Sequence, residues 1–247
     1  VQEYFLKLIE NGYIYEKTVE QDYCENCGKF LSDREIVGKC PKCGGEATGE
    51  QCDNCLTTLN ADEVEDKHCK ECGKPTVLKG NKHLYFKLSA FQKQIEDLIQ
   101  ARETTWRKQA VGESKKFLHN GLIDRAATRQ LDWGIEVPVK GYEDKRIYVW
   151  IEAVLGYLTT ARRVAQERGI DFEKFMSKDN PNLSTYYVHG KDNIPFHTII
   201  FPALMLGIGN GYQLPKYIVS SGYINMNDTK MSKSKGNLVT VDELVEK

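Results

Sequence analysis

Three common features are missing from this sequence, and each absence narrows the class of protein. No apolar run reaches about 18 residues, the length that a membrane-spanning helix needs. The 34 basic and 35 acidic residues leave a net charge of −1, so any contact with nucleic acid must come from local patches. No secretory signal is visible. The 40% of hydrophobic residues predicts a globular cytoplasmic protein with no membrane span.

Cysteine is missing outside one short region. All eight cysteines fall within residues 24–72 and form four Cys-x-x-Cys pairs, Cys24/Cys27, Cys40/Cys43, Cys52/Cys55 and Cys69/Cys72. Glycine follows three of the pairs directly, which lets the backbone turn tightly enough for both sulfurs to face one ion. Two such knuckles supply the four thiolates of a closed tetrahedral zinc site. The sequence therefore predicts two structural zinc ions.

Two other interpretations of the cysteines are weaker. A disulfide framework is typical of secreted chains, and a redox site needs one Cys-x-x-Cys pair beside a strand-helix unit. The spacing leaves the pairing open. Sequential sites would join the first knuckle to the second and the third to the fourth, whereas nested sites would join the second to the third and the first to the fourth.

Both ends of the chain have helical patterns. Val1, Phe5 and Leu8 follow helical spacing before Gly12, and Thr240 with Glu243 forms a capping box. Residues 84–120 also predict helix, and Ser89 is a candidate cap. Because both ends stop abruptly, we expect an internal fragment of a longer protein.

The second half of the chain alternates strand and helix patterns. The segments are strand 146–151, helix 152–166, strand 184–189, helix 194–206 and strand 216–220. This order predicts a parallel sheet with right-handed crossovers. Ligands bind such sheets beyond the carboxyl ends of the strands. That edge would carry Trp150, the turn 190–192 and the loop 230–234.

The stretch Thr229–Asn237 alternates lysines with serines and a methionine. On a mobile loop these lysines could converge on one polyanion, since each is a compact point charge with three donors. We expect residues 227–237 to be mobile. A solvated basic loop is the simpler interpretation of such a run taken alone.

Several stretches together resemble the methionyl-tRNA synthetase family. They follow the family's order and comprise the knuckles, Thr128–Gly134, Val149–Ala153, His189–His197 and Lys230–Ser234. The last is similar to the signature loop of class I aminoacyl-tRNA synthetases, and the others narrow the resemblance to methionine. The four-knuckle arrangement is similar to archaeal-type members.

The resemblance implies an α/β fold, namely the second half of a Rossmann-like parallel-sheet nucleotide-binding fold with an inserted zinc-knuckle connective domain. It also implies five segments. These are a helical tail of the first half of the fold (1–17), the zinc-knuckle insertion (18–83), a helical part (84–122), the second half of the fold (123–228), and the signature loop with the next helix (229–247). Members with one zinc keep the two central knuckles, so nested pairing is implied. One site then has Cys40, Cys43, Cys52 and Cys55, and the other has Cys24, Cys27, Cys69 and Cys72.

The implied activity is that of a methionine–tRNA ligase. The carboxylate of methionine attacks the α-phosphate of ATP, and the methionyl-adenylate then esterifies tRNA(Met). By resemblance, Lys230 and Lys233 are catalytic because they stabilise the charge that builds on the phosphates, and Mg²⁺ accompanies ATP. The implied ATP-binding residues are Gly190, Asp192, Lys230, Ser232 and Lys233.

The implied methionine site is aromatic, which suits a polarisable thioether. Its residues are Trp150, Ala153, Val154, Tyr157 and His197, with Arg129 facing the carboxylate. Tyr157 lies seven residues beyond Trp150 and so returns to the same helical face. Core packing is the simpler explanation for Trp150 alone, as a surface ion pair is for Arg129.

One family signature, His-Ile-Gly-His, is absent from the sequence. We expect it before Val1, with an anticodon-binding helical domain after Lys247, and we expect residues 1–247 alone not to form adenylate at a useful rate. Two alternatives are a class I synthetase for isoleucine, valine or leucine and a non-catalytic zinc-ribbon module that binds nucleic acid. The synthetases for isoleucine and valine carry a much larger insertion, and a ribbon module does not explain the strand-helix units.

Overall fold

The computed structural model describes residues 1–49, 52, 54–55, 59, 61–223, 225–226, 229–231 and 238–245. The chain divides into two compact units, each described by itself below. The helical unit comprises Val1–Tyr13, Lys87–Arg125 and Val149–Lys247. The knuckle unit comprises Ile14–Phe86 and Ala126–Tyr148. No helix among the described residues is long and apolar enough to cross a membrane.

Short antiparallel sheets build the knuckle unit. Its strands in chain order are β1 (Ile14–Cys24), β2 (Lys29–Phe30), β3 (Ile36–Lys39), β4 (Glu46–Thr48), β5 (Glu65–Cys69), β6 (Val77–Phe86), β7 (Arg125–Ala126), β8 (Thr128–Gln130) and β9 (Lys145–Ile147). The sheets have the orders β2-β1-β6-β7, β4-β3-β5 and β8-β9. The long β1–β6 ladder runs from the Ile14–Phe86 pair to the Tyr23–Val77 pair, and all eight cysteines lie in the chain between Tyr23 and Val77.

Two small apolar clusters of the knuckle unit contain cysteines. One consists of Cys24, Leu31, Ile36 and Cys69, and the other of Cys40, Ala47, Cys52, Leu59 and Val64. Clusters of this size give the segments around the cysteines weak hydrophobic stabilisation. Other residues of the unit, such as Phe86 and Ile147, are buried away from these two clusters.

The helical unit contains seven helices and two pairs of strands among its described residues. The helices are α1 (Gln2–Glu10), α2 (Gln92–Ala101), α3 (Lys108–His119), α4 (Val149–Glu167), α5 (Phe172–Met176), α6 (Phe201–Ile208) and α7 (Val241–Val245). The strands are β10 (Tyr186–Gly190), β11 (Tyr217–Ser221), β12 (Asn225–Met226) and β13 (Thr229–Lys230). A π-helical turn, Phe196–Ile200, leads directly into α6. The core of the unit includes Phe5, Leu8, Phe91, Ile95, Leu155, Leu158, Phe201 and Leu204.

The predicted mixed α/β class is confirmed, and both terminal helices form. The capping box is present, since Thr240 N donates to Glu243 Oε2 at 2.7 Å and Glu243 N donates to Thr240 Oγ1 at 3.3 Å. Strands β10 and β11 pair in parallel, as the sequence predicted. Six other strand pairs are antiparallel, namely β1–β2, β1–β6, β3–β4, β3–β5, β8–β9 and β12–β13.

The predicted strand 146–151 is wrong. Its observed counterpart, β9, ends at Ile147 and pairs antiparallel with β8, and α4 begins at Val149. The β-branched and aromatic run predicted a strand, but helical spacing buries Ile151, Val154, Leu155 and Leu158 together. Trp150 therefore lies in the first turn of a helix.

The predicted helical start near Leu84 is also wrong, because Leu84 lies in β6. Ser89 does not cap a helix. Its Oγ donates to Asp124 Oδ1 at 2.6 Å from a 3₁₀ turn, Leu88–Phe91.

Asn11 connects the end of α1 to the end of α6. Its Nδ2 donates to Gly207 O at 2.8 Å and to Ile208 O at 3.1 Å, so it satisfies carbonyls that the end of α6 leaves without intrahelical donors. We expect Asn11→Ala to lower the free energy of unfolding by about 1–2 kcal/mol, measured by urea denaturation. The control, Asn182→Ala, keeps its backbone bond to Asn180 Oδ1 and should change stability by under about 0.5 kcal/mol. Equal effects of the two variants would contradict this role of Asn11.

Candidate metal centres and substrate site

The central knuckles form one cluster of four sulfurs. Cys40 Sγ lies 3.8 Å from Cys55 Sγ, and Cys43 Sγ lies 3.5 Å from Cys52 Sγ. All four sulfurs lie within 4.8 Å of one another. Cys40 and Cys52 are buried, whereas Cys43 is exposed.

The outer knuckles form the second cluster. Cys24 Sγ lies 3.4 Å from Cys72 Sγ, and Cys27 Sγ lies 3.9 Å from Cys69 Sγ. Each ion would therefore be held by the members of a nested pair, so the structure brings together the two cysteine sets that the resemblance implied.

The sulfur separations fit zinc. Four ligands at a Zn–S distance of about 2.3 Å stand about 3.8 Å apart in a tetrahedron. The knuckle turns are already closed, because Gly28 N, Gly44 N and Gly73 N donate at 2.8 Å to the carbonyls of Cys24, Cys40 and Cys69 respectively. These glycines have φ of 67°, 69° and 68°, a left-handed conformation that glycine adopts without a Cβ penalty.

Backbone N–H groups donate to sulfurs of both clusters. Cys27 N donates to Cys24 Sγ at 3.4 Å, and Cys55 N donates to Cys52 Sγ at 3.5 Å. The backbone N–H of Lys74 lowers the pKa of Cys72 to about 7. With four sulfurs per site, no ligand position remains for a substrate, so both sites are suited to a structural ion.

Neither His68 nor His83, the two histidines nearest the cysteines in the sequence, belongs to a cysteine cluster. His83 is buried, and its Nδ1 lies 3.0 Å from Thr128 Oγ1. Burial, followed by the charges of Lys145 and Arg129, lowers the pKa of His83 to about 4. An uncharged, hydrogen-bonded His83 is a structural part of the β6–β8 contact.

A group of aromatic side chains occupies one face of α4. Trp150, Ala153, Val154 and Tyr157 follow the spacing i, i+3, i+4, i+7, which aligns them on a helix. Trp150 stacks on Phe196 of the π-helical turn, with ring centroids 4.2 Å apart and planes at 16°. Val154 is buried, while Trp150 and Tyr157 are 38% and 45% exposed. The face is thus packed at its base and open to a ligand.

Tyr157 and His197 satisfy each other's polar atoms. His197 Nδ1 lies 2.8 Å from Asn193 O, and His197 Nε2 lies 2.9 Å from the Tyr157 hydroxyl. Since a carbonyl only accepts, Nδ1 carries the ring proton and Nε2 accepts from the Tyr157 hydroxyl. Burial lowers the pKa of His197 to about 4, so the imidazole is uncharged at neutral pH.

Residues that the sequence reasoning did not assign complete this group, which we call the aromatic cluster (Trp150, Tyr157, Tyr187, His189, Phe196 and His197). Tyr187 lies 5.5 Å from the Tyr157 ring, and His189 stacks on His197 at 4.2 Å. The two-residue alternation of β10 places Tyr187 and His189 on one face. The alternation in the sequence could have placed these two residues on one face of a strand. It could not show that this face contacts Tyr157 and His197.

The strand-end turn after β10 holds Gly190 and Asp192. Asp192 Oδ1 accepts a hydrogen bond from the Tyr223 hydroxyl, and Lys191 Nζ lies 4.1 Å from the centroid of the Tyr223 ring. Asp192 is exposed. Tyr223 was not predicted, because nothing in its local pattern connects it to a residue 31 positions earlier.

Arg129 belongs to the knuckle unit, whereas the aromatic cluster belongs to the helical unit. Its guanidinium lies 4.2 Å from the centroid of the Tyr148 ring, and Nη1 donates to Thr128 O at 3.1 Å. These contacts hold the side chain against its own sheet.

Lys230 is the second residue of the lysine-serine stretch Thr229–Asn237, and it lies in a strand. Strand β13 pairs antiparallel with β12, placing Lys230 opposite Asn225. The prediction of a loop starting at Thr229 is therefore wrong for its first two residues. Ser232 and Lys233, and most of the span 227–237 for which the sequence predicts mobility, lie outside the described residues.

The comparisons with known proteins agree with one another. The family model described as "tRNA synthetases class I (M)" matches residues 1–247. Proteins named methionine–tRNA ligase from Bacillus cereus strain 03BB102 and Bacillus anthracis strain A0248 are 47% and 46% identical over the whole chain. The chain spans 45% of the length of these curated relatives.

Solved structures give the same fold. The methionyl-tRNA synthetase of Mycobacterium tuberculosis bound by methionyl-adenylate has a TM-score of 0.63 and is 24% identical over 99% of this chain and 42% of that one. A second structure of that synthetase in complex with methionyl-adenylate has a TM-score of 0.64 at 25% identity, with the same coverage. The match of the family model along the whole chain and the identity to the Bacillus relatives decide the assignment: the chain belongs to the class I (M) family of tRNA synthetases.

Proposed function

We propose that the chain is the zinc-bearing catalytic segment of a methionine–tRNA ligase, which activates methionine with ATP and transfers it to tRNA(Met). The observation that carries the proposal is the aromatic cluster, in which Tyr157 and an uncharged His197 satisfy each other. The named relatives support the same activity.

Methionine suits this cluster because its side chain is apolar and needs no strong hydrogen-bond donor from the protein. Its sulfur is a weak acceptor that contacts aromatic rings favourably, by about 0.3–1.5 kcal/mol. Trp150 and Tyr157 offer exposed ring surface beside Ala153, and Val154 closes the base. A polar side chain would have to compete with the Tyr157–His197 bond for its partners, so the same arrangement disfavours polar amino acids.

Activation then joins the bound methionine to ATP. A carboxylate oxygen of methionine forms a bond to the α-phosphorus, the bond to the β-phosphate oxygen breaks, and pyrophosphate leaves. Gly190 and Asp192 would contact ATP, with Asp192 accepting hydrogen bonds from the ribose. The family resemblance alone assigns Arg129 to the carboxylate. Lys230, Ser232 and Lys233 would contact the phosphates, where fixed cations stabilise developing charge more than they stabilise the ground state. Mg²⁺ bound with ATP supplies further neutralisation of phosphate charge.

The fold we propose for this segment is the second half of a Rossmann-like nucleotide-binding fold with the knuckle unit inserted. The parallel β10–β11 pair, joined through the π-helical turn and α6, supports it. Zinc held by the two cysteine clusters would stabilise the insertion and take no part in the chemistry.

Removing the Tyr157 hydroxyl tests the proposed methionine site. In the full-length protein, Tyr157→Phe leaves His197 Nε2 without its donor. We expect the KM for methionine to rise about 5- to 10-fold, which corresponds to about 1–1.4 kcal/mol, with the KM for ATP unchanged. Methionine-dependent ATP–pyrophosphate exchange measures both constants.

The matched control is Tyr186→Phe, at a 62% exposed tyrosine that stacks on Tyr217. It should leave the KM for methionine unchanged. A Tyr157→Phe protein with the wild-type KM for methionine would show that this tyrosine does not form the site.

The zinc content and the pairing can be tested together. We expect about two zinc ions per chain, and about one in each of the variants Cys40→Ser and Cys24→Ser. In Cys40→Ser the thiols of Cys43, Cys52 and Cys55 should become alkylatable, while the outer cluster stays protected because its four sulfurs are intact. Elemental analysis and mass spectrometry after alkylation measure both.

The two pairings predict different protection patterns. If Cys24 and Cys27 became alkylatable in Cys40→Ser while Cys52 and Cys55 stayed protected, the sites would be sequential and the nested arrangement would be wrong. An exposed cysteine-to-serine exchange offers no control here, since all eight cysteines lie in the two clusters. Lys42→Ala, inside the central knuckle turn, serves instead and should retain two zinc ions.

A further inference from the structure

His189 is a partly buried histidine near the carboxyl end of β10. The proposed chemistry does not use it. Its ring lies parallel to that of His197, with centroids 4.2 Å apart and planes at 16°. It is followed immediately by Gly190, where the strand-end turn begins. His189 therefore stands between the residues assigned to methionine and the turn assigned to ATP.

The polar atoms of His189 do not explain its position within the cluster. Nδ1 lies 3.0 Å from Gly190 O, and because a carbonyl only accepts, this nitrogen carries the proton. Nε2 is buried and has no hydrogen-bond partner among the described residues. The Nδ1 bond reaches only the neighbouring residue, so the ring face is the part of His189 that contacts the rest of the cluster.

The hydrogen bonds of His197 leave the faces of its ring open to packing contacts. Its two hydrogen bonds, to Asn193 O and from Tyr157, lie in the plane of the ring and leave its faces to be covered by neighbours. The rings of Tyr157 and Tyr187 approach at 5.6 and 6.0 Å and at angles of 43° and 48°. His189 gives the closest and most nearly parallel ring contact with His197, so it restrains motion out of the ring plane.

We propose that His189 is a positioning residue for amino-acid recognition: by stacking on His197 it holds Nε2 in line with the Tyr157 hydroxyl. The proposal rests on the proposed function, because Tyr157 and His197 are taken to line the methionine site. Loss of the stack loosens the Tyr157–His197 pair and weakens methionine binding, while the binding of ATP stays the same.

Two substitutions separate the ring from its polar atoms. His189→Phe keeps a flat ring over His197 and removes both nitrogens. His189→Asn removes the ring and retains an amide nitrogen near the position of Nδ1, which can still donate to Gly190 O. Stacked ring pairs contribute enough for about a 3- to 10-fold change in affinity. In the full-length protein we expect His189→Asn to raise the KM for methionine by this factor, and His189→Phe to keep it within about twofold.

The readouts are chosen so that a general loss of folding is recognised. The KM for ATP, the kcat and the thermal midpoint should stay near wild type in both variants. The ¹⁵N NMR signals of the His197 imidazole should be retained in His189→Phe and should broaden or shift in His189→Asn, since the ring loses its parallel neighbour. His119→Asn, at an exposed helix end, is the control and should change none of these quantities.

Different results would contradict the role of His189 and the proposed function. A wild-type KM for methionine in His189→Asn, or a raised KM in His189→Phe with none in His189→Asn, would overturn the positioning role. A wild-type protein that does not bind methionine would instead overturn the proposed function and leave the ring stack as a packing contact.

Discussion

The hydrogen bond from the Tyr157 hydroxyl to His197 Nε2 is the interaction on which the proposed substrate site depends. It exists in this form because Asn193 O accepts the single proton of the neutral ring at Nδ1. Burial keeps the ring uncharged, and an uncharged ring can accept where an imidazolium could only donate. The Tyr157–His197 pair consequently presents ring surface whose polar atoms are already satisfied. We propose that such a surface recognises a thioether by shape and polarisability.

A different constraint governs the knuckle unit. The two apolar clusters around its cysteines are small and contain the cysteines themselves, so hydrophobic burial contributes little to the stability of the segments around them. The sulfur geometry of both clusters matches the separations that a tetrahedral zinc ion requires. If the two clusters hold zinc as we propose, metal removal should affect the segments around the cysteines, and core substitution should affect the packed helical unit.

The sequence was most informative where a residue type permits few structural roles. Four Cys-x-x-Cys pairs, three of them followed by glycine, led to the two clusters, and resemblance selected the nested pairing that the structure brings together. The residue pattern was misleading at Arg146–Ile151, because its β-branched and aromatic residues predicted a strand. The helix forms there because Ile151, Val154, Leu155 and Leu158 share a buried face, which is a tertiary effect. His189 and Tyr223 depend on contacts between elements, so local patterns could not identify them.

We propose that the aromatic cluster selects methionine among apolar amino acids. The most direct measurement is amino-acid-dependent ATP–pyrophosphate exchange by the full-length protein, with methionine, isoleucine, leucine and valine compared by kcat/KM. A cluster built as described predicts a clear preference for methionine, because the unbranched thioether fits between the rings. A preference for isoleucine, leucine or valine over methionine would contradict it.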